Sequence, residues 1–104
     1  MSIQTSLVTT SVGNAYVSSG NTAVTFLSLC NYSAGNVLAN VHIVPSGAAA
    51  SNTNLVLSSI EITSKDTYQF YVGNEKLLLT NGDSVQVDAN AATALNAVVS
   101  YYSY

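Results

Sequence analysis

The sequence predicts an all-β chain: an antiparallel β-sandwich of jelly-roll type, with about eight strands in one domain over residues 1–104. Three observations carry this. Apolar residues alternate with Ser, Thr and Asn in segment after segment, which is the period of a strand with one dry and one wet face. The alternating segments are short and are separated by Gly, Asn, Ser and Asp clusters, whose backbones tolerate turn geometry. No stretch has a long apolar stripe of helical period, and eight or nine short strands in a hundred residues fit two stacked antiparallel sheets.

The elements follow in order. Residues 3–10 and 14–18 open the chain as short alternating segments, with residues 1–12 expected as an extended arm or an edge strand. Residues 22–32 form a longer strand in which Val24, Phe26 and Cys30 alternate with Ala23, Leu27 and Leu29, apolar on both sides. In residues 37–45, Val37, Ala39, Val41 and Ile43 point one way and Asn40 and His42 the other, ending at the only proline, Pro45. One long connection, residues 45–54, leads to strands at 55–62, 67–72 and 75–79. The turn Thr80-Asn81-Gly82-Asp83 precedes residues 83–88, where Val85 and Val87 alternate with Ser84, Gln86 and Asp88, and Asn-Gly before such alternation predicts a hairpin. The Ala-rich run 89–94 is too short for a stable helix and reads as a tight loop before the last strand, 94–104.

Composition narrows the function. Only two Lys and five acidic side chains occur in 104 residues, against about a quarter charged in an average domain, so charge does not keep this surface apart from its neighbours. The expected remedy is cover by other chains. With Lys65 and Lys76 the only cations, no basic patch exists to neutralise phosphates, which argues against a nucleic-acid partner. No run approaches the roughly 20 apolar residues of a membrane span, and the start MSIQTSLVTT lacks a signal-peptide pattern, so a protein made in the cytoplasm is expected. A lone cysteine, Cys30, allows no intrachain disulfide and reads as a small core residue.

Catalytic parts are scarce. His42 is the only imidazole, and its place opposite core residues predicts exposure to solvent or a partner chain. Asp83 follows Asn81 and Gly82 where its carboxylate can accept turn N–H groups, a structural role. No phosphate loop, EF-hand or HExxH pattern occurs, and no catalytic residue, metal or cofactor is expected. Asn31-Tyr32-Ser33 matches a glycosylation sequon, a pattern too short to carry weight without secretion.

Two strands lack a wet face, 22–32 and the last. In the last, Leu95, Ala97, Val99 and Tyr101 lie on one side and Val98, Tyr102 and Tyr104 on the other. Such a strand is either central in the core or set against a neighbour. Tyr suits interface cores, where its ring is dry and its hydroxyl finds a partner. The expected oligomer or partner contacts are therefore Val98, Tyr101, Tyr102, Tyr104, Leu27, Leu29 and His42, with tyrosines lining a sheet edge as the plainer alternative.

Taken together, Cys30-Asn31-Tyr32-Ser33, Val41-His42-Ile43-Val44-Pro45-Ser46-Gly47, the segment Leu55 to Ile62, Thr80-Asn81-Gly82-Asp83-Ser84-Val85-Gln86-Val87 and the close Leu95 to Tyr102 resemble the small β-sandwich virion proteins of tailed bacteriophages. The resemblance covers most of the chain, least in its first twenty residues. It implies a non-enzymatic structural protein of the virion that decorates or cements the capsid, or sits in the neck, baseplate or fibre. The expected assembly is a homotrimer joined to major capsid or other virion proteins through edge strands, the amino-terminal segment and the 46–54 loop. The alternative is a lectin-like module of a tail or fibre, in which Tyr16, Tyr32, Tyr68 and Tyr71 could serve as sugar platforms.

Overall fold

The computed structural model describes residues 2–70 and 76–104, with the side chain of Phe70 left aside. The described residues form nine strands: β1 Ser2–Val8, β2 Gly13–Val17, β3 Thr22–Asn31, β4 Val37–Val44, β5 Leu55–Ile62, β6 Thr67–Phe70, β7 Leu77–Leu79, β8 Ser84–Ala89 and β9 Leu95–Ser103. One sheet runs β1-β9-β3-β6, with β7 also pairing β3, and the other runs β2-β8-β4-β5. All pairings are antiparallel. The two sheets enclose one apolar core, an arrangement compatible with a β-sandwich. The parts of the predicted strands 67–72 and 75–79 that fall on residues 71–75 lie outside the described residues.

The pairs are nested. β4 meets β5, β3 meets β6 and β7, β2 meets β8, and β1 meets β9, so the two halves of the chain run back along each other while passing repeatedly between the sheets. The core between them is built almost wholly from Val, Leu, Ile and Ala, with Leu27, Leu29, Val41, Val85, Leu95 and Val99 fully buried. Branched aliphatic side chains suit this position because they pack densely on a pleated surface.

Irregularities in register decide which side chains enter that core. β3 is offset against β9 between Val24 and Phe26, with Thr25 as the extra residue. A bulge inverts the alternation beyond it, so Val24, Leu27 and Leu29 all face inward, while Phe26 and Cys30 share the outer face with Ala23. The simple alternation expected for this strand is thereby corrected. Thr25 uses its hydroxyl to donate to the Ser100 carbonyl at 3.2 Å, which anchors the bulge to β9.

The Asn81-Gly82 turn is also corrected, since it does not close a hairpin. β7 belongs to one sheet and β8 to the other, so residues 80–83 carry the chain across. The geometry explains why. Gly82 has φ of 90° whereas Asn81 is not among the residues with positive φ, and Asp83 N donates to Thr80 O at 3.1 Å. The two-residue hairpin favoured by Asn-Gly needs positive φ at both central positions, and other turns splay the flanking strands.

Polar ties close the two ends of the body. At one end Asp83 Oδ2 accepts from Thr80 N and Thr80 Oγ1, and Oδ1 accepts from Ser46 N at 2.9 Å, as its turn position predicts. At the other end Asn31 is wholly buried; its Nδ2 donates to Gly35 O and Ile62 O, and its Oδ1 accepts from Ser33 N and Ser33 Oγ. The sequon asparagine is thus engaged through both atoms of its amide and inaccessible in the folded chain.

Candidate functional site

The two sheets differ in what they turn outward. Residues opposite one another in an antiparallel pair share a face, so the outer face of the β2-β8-β4-β5 sheet can be read across Asn14, Gln86 and His42, and across Asp88 and Asn40. This face carries a bonded polar set, with Asn40 Nδ2 donating to Asp88 Oδ1 at 2.8 Å and Gln86 Nε2 donating to Ser84 Oγ, together with two exposed apolar side chains, Val17 opposite Ser84 and Leu38 opposite Glu61.

The outer face of the five-stranded sheet differs in charge, since the other face carries Glu61 and Asp88. Ile3, Leu7, Phe26, Val98, Tyr102 and Leu78 lie on it, with Thr5, Ser28, Asn96 and Ser100 between them and no charged side chain at any of its paired positions. Ile3, Leu7 and Leu78 are 69%, 53% and 63% exposed. Isolated apolar residues on a surface are ordinary, whereas several on one uncharged face mark a surface suited to contact.

β1 adds a particular anomaly. Its register against β9 runs without a break from Ser2 to Val8, and Val8 is locked in the core. Ser2, Gln4 and Ser6 must therefore share the inward face, and Ile3 and Leu7 must point away from the core. Of the strand's apolar residues only Val8 is buried, while Ile3 and Leu7 are exposed on the outer face.

The predicted contact residues separate into three groups. Val98 and Tyr102 are half-buried on the uncharged outer face, and Tyr104, just past β9, is 59% exposed. Leu27 and Leu29 are fully buried between the sheets, so they are core residues of this chain and present no surface to another; the bulge at Thr25 placed them there. Tyr101 also turns inward and stacks on Tyr16 with ring centroids 4.3 Å apart.

His42 does lie on the outer side of its sheet, but it is 8% exposed rather than open. The 45–54 connection folds back over it. Its Nδ1 lies 3.1 Å from Ser51 O and 3.0 Å from Asn54 Oδ1, while Asn54 Oδ1 also accepts from Ser51 N. Both neighbours of Nδ1 are acceptors, so this nitrogen carries the proton. The loop expected to reach a partner is folded against its own sheet, with Asn54 Nδ2 donating to Ala49 O and Ile43 N donating to Asn54 O.

Sequence reasoning named the amino-terminal segment as a contact without singling out Ile3 and Leu7, and it did not single out Phe26 or Leu78. Their spacing was legible, but not which face of each strand looks outward. A shallow depression on the same face is lined by Thr5, Ser6, Leu7, Tyr32, Asn96 and Val98. It contains Tyr32, 42% exposed, one of the proposed sugar platforms; Tyr16 is buried and donates its hydroxyl to Thr22 Oγ1, and Tyr71 lies outside the described residues. Among the described residues no group of three or more His, Cys, Asp or Glu is placed to hold a metal ion.

Comparison with family models, curated proteins and solved structures gave no match.

Proposed function

We propose that this protein is a non-enzymatic, homo-oligomeric assembly subunit whose uncharged outer face, on the five-stranded sheet, is covered by neighbouring protein subunits. The observation that carries the reading is the exposure of Ile3, Leu7 and Leu78, beside Val98 and Tyr102, on one face with no charged side chain at its described paired positions. Covering such a face removes apolar surface from water at about 25 cal/mol per Å² with no ion to desolvate.

The fold is best read as a jelly roll. Its support is the nested pairing, with β1-β9-β3-β6 in one sheet and β2-β8-β4-β5 in the other, as when one long hairpin is rolled into two sheets. Jelly rolls build viral capsid and lectin domains, and the sequence resemblance to phage virion proteins rests on motifs in the same chain. A virion subunit, decorating or cementing a capsid or linking its parts, fits both the fold and the face.

Light scattering on the purified native chain tests the assembly. The expected result is a mass that is a multiple of 10.8 kDa, reduced in Leu78→Asp and Tyr102→Asp variants that keep their β circular dichroism. A monomer at every concentration, with solubility unchanged by these substitutions, would overturn the reading.

A further inference from the structure

We infer that the free edge of β1 is a self-pairing site: β1 of one copy adds antiparallel to β1 of a second copy, joining the two five-stranded sheets into one. This contact is made through the strand edge and shares only Ile3 and Leu7 with the covered face.

The inference starts from how the other edges are protected. An unpaired strand edge presents a row of N–H and C=O groups to any extended chain, and proteins blunt it with bulges, short strands, Pro or charge. β5 is offset twice against β4, holds Ser59 at φ of 50° and carries Glu61. β2 begins at Gly13 and is bulged between Asn14 and Tyr16. β6 and β7, of which four and three residues are described, share the remaining edge.

β1 has none of these devices. It is seven residues long, pairs β9 without interruption and contains no Pro, Gly or charged residue. It is the one edge among the described residues that is long, regular and neutral.

The occupant follows from the strand's own pattern. In Ser2-Ile3-Gln4-Thr5-Ser6-Leu7-Val8, polar and apolar positions are arranged almost symmetrically about Thr5. A two-fold axis through Thr5 sets Ile3 against Leu7 of the second copy, Gln4 against Ser6 and Thr5 against Thr5. Both Ile–Leu pairs fall on the outer face, where each residue is exposed in the single chain. This register sets Ile3–Leu7 of one copy against Ile3–Leu7 of the other, a stretch in which no residue is buried. A strand with no charge meets its own copy without repulsion, and two-fold contacts of this kind are the commonest way identical chains associate.

The test combines cross-linking with mass. Opposed residues of an antiparallel pair lie about 4.5–5.5 Å apart, within disulfide reach. In a Cys30→Ser background, Thr5→Cys is expected to form a covalent dimer under added oxidant, well above a Leu38→Cys control on β4. Thr5→Lys, which places two like charges at the axis, is expected to abolish the β1 pair and lower the mass seen by light scattering, whereas Thr5→Ser is expected to leave it unchanged. No more cross-linked dimer from Thr5→Cys than from Leu38→Cys would overturn the inference, even if Thr5→Lys failed to fold. A mass unaffected by folded Thr5→Lys but reduced by Leu78→Asp would also overturn it, while leaving the covered-face reading intact.

Discussion

Tyr16 on β2 and Tyr101 on β9 stack across the two sheets, with ring centroids 4.3 Å apart and planes inclined by 34°. Tyr16 is buried and its hydroxyl donates to Thr22 Oγ1 at 3.2 Å, with Ser18 Oγ 2.9 Å from the same oxygen. The pair thus joins the sheets by ring contact and ends in a buried hydroxyl cluster that continues to the Gly20 carbonyl.

Removing one ring should loosen that junction. Tyr101→Ala is expected to destabilise the chain by about 2 kcal/mol, less than a fully buried aromatic truncation because Tyr101 is only half-buried. Urea unfolding followed by circular dichroism would measure it. Tyr16→Phe, which keeps the ring and loses the hydroxyl, should cost about 1 kcal/mol. If Tyr101→Ala changes the oligomer mass but not the unfolding midpoint, Tyr101 is an interface residue and the stacking argument fails.

Gly82 has no room for a side chain. Its φ of 90° is unfavourable for any other residue, and an added Cβ would meet Ser46 Oγ and lie 2.9 Å from Ser46 Cβ. Gly82→Ala should therefore destabilise by roughly 1–3 kcal/mol. Adding Ser46→Gly removes the clash while keeping the N–H that bonds Asp83, so the double variant should recover part of the loss and retain the cost in φ. Equal stability for the single and double variants would show that the contact with Ser46 contributes nothing.

Asp83 links this turn to pH. Hydrogen bonds from Thr80 N, then Ser46 N, favour its charged form and hold its pKa below the ordinary aspartate value. Because the folded value is the lower one, the unfolded chain binds more protons between the two values. The contribution to stability is therefore complete above about pH 4 and is lost as pH falls through the folded value. Unfolding midpoints taken from pH 7 down to pH 2 should fall in acid for the native chain and fall less for Asp83→Asn. Parallel curves would remove Asp83 as the source.

Much of the fold was legible because strand formation is local. The alternation and the turn clusters located nine strands to within a few residues, excepting the parts on residues 71–75, since period-two patterning and turn chemistry act over fewer than ten positions. The uncharged composition and the grouping of Val98 with Tyr102 on one face of β9 were readable for the same reason. Asp83 was readable as a turn acceptor, although its bond to Ser46 N spans 37 residues and belongs to the tertiary structure.

What only the tertiary structure decided was which face each alternating set took and what lay against it. One extra residue at Thr25 sent Leu27 and Leu29 into the core and put Phe26 outside, and nothing in the local sequence marks that insertion. The outward placement of Ile3 and Leu7 follows from Val8 being gripped by the core and from an unbroken register with β9, a strand more than eighty residues away. His42 lost its exposure to a loop that folds back from Asn54. In each case the alternation fixes two faces but not their labels, because long-range pairing alone determines which of them excludes water.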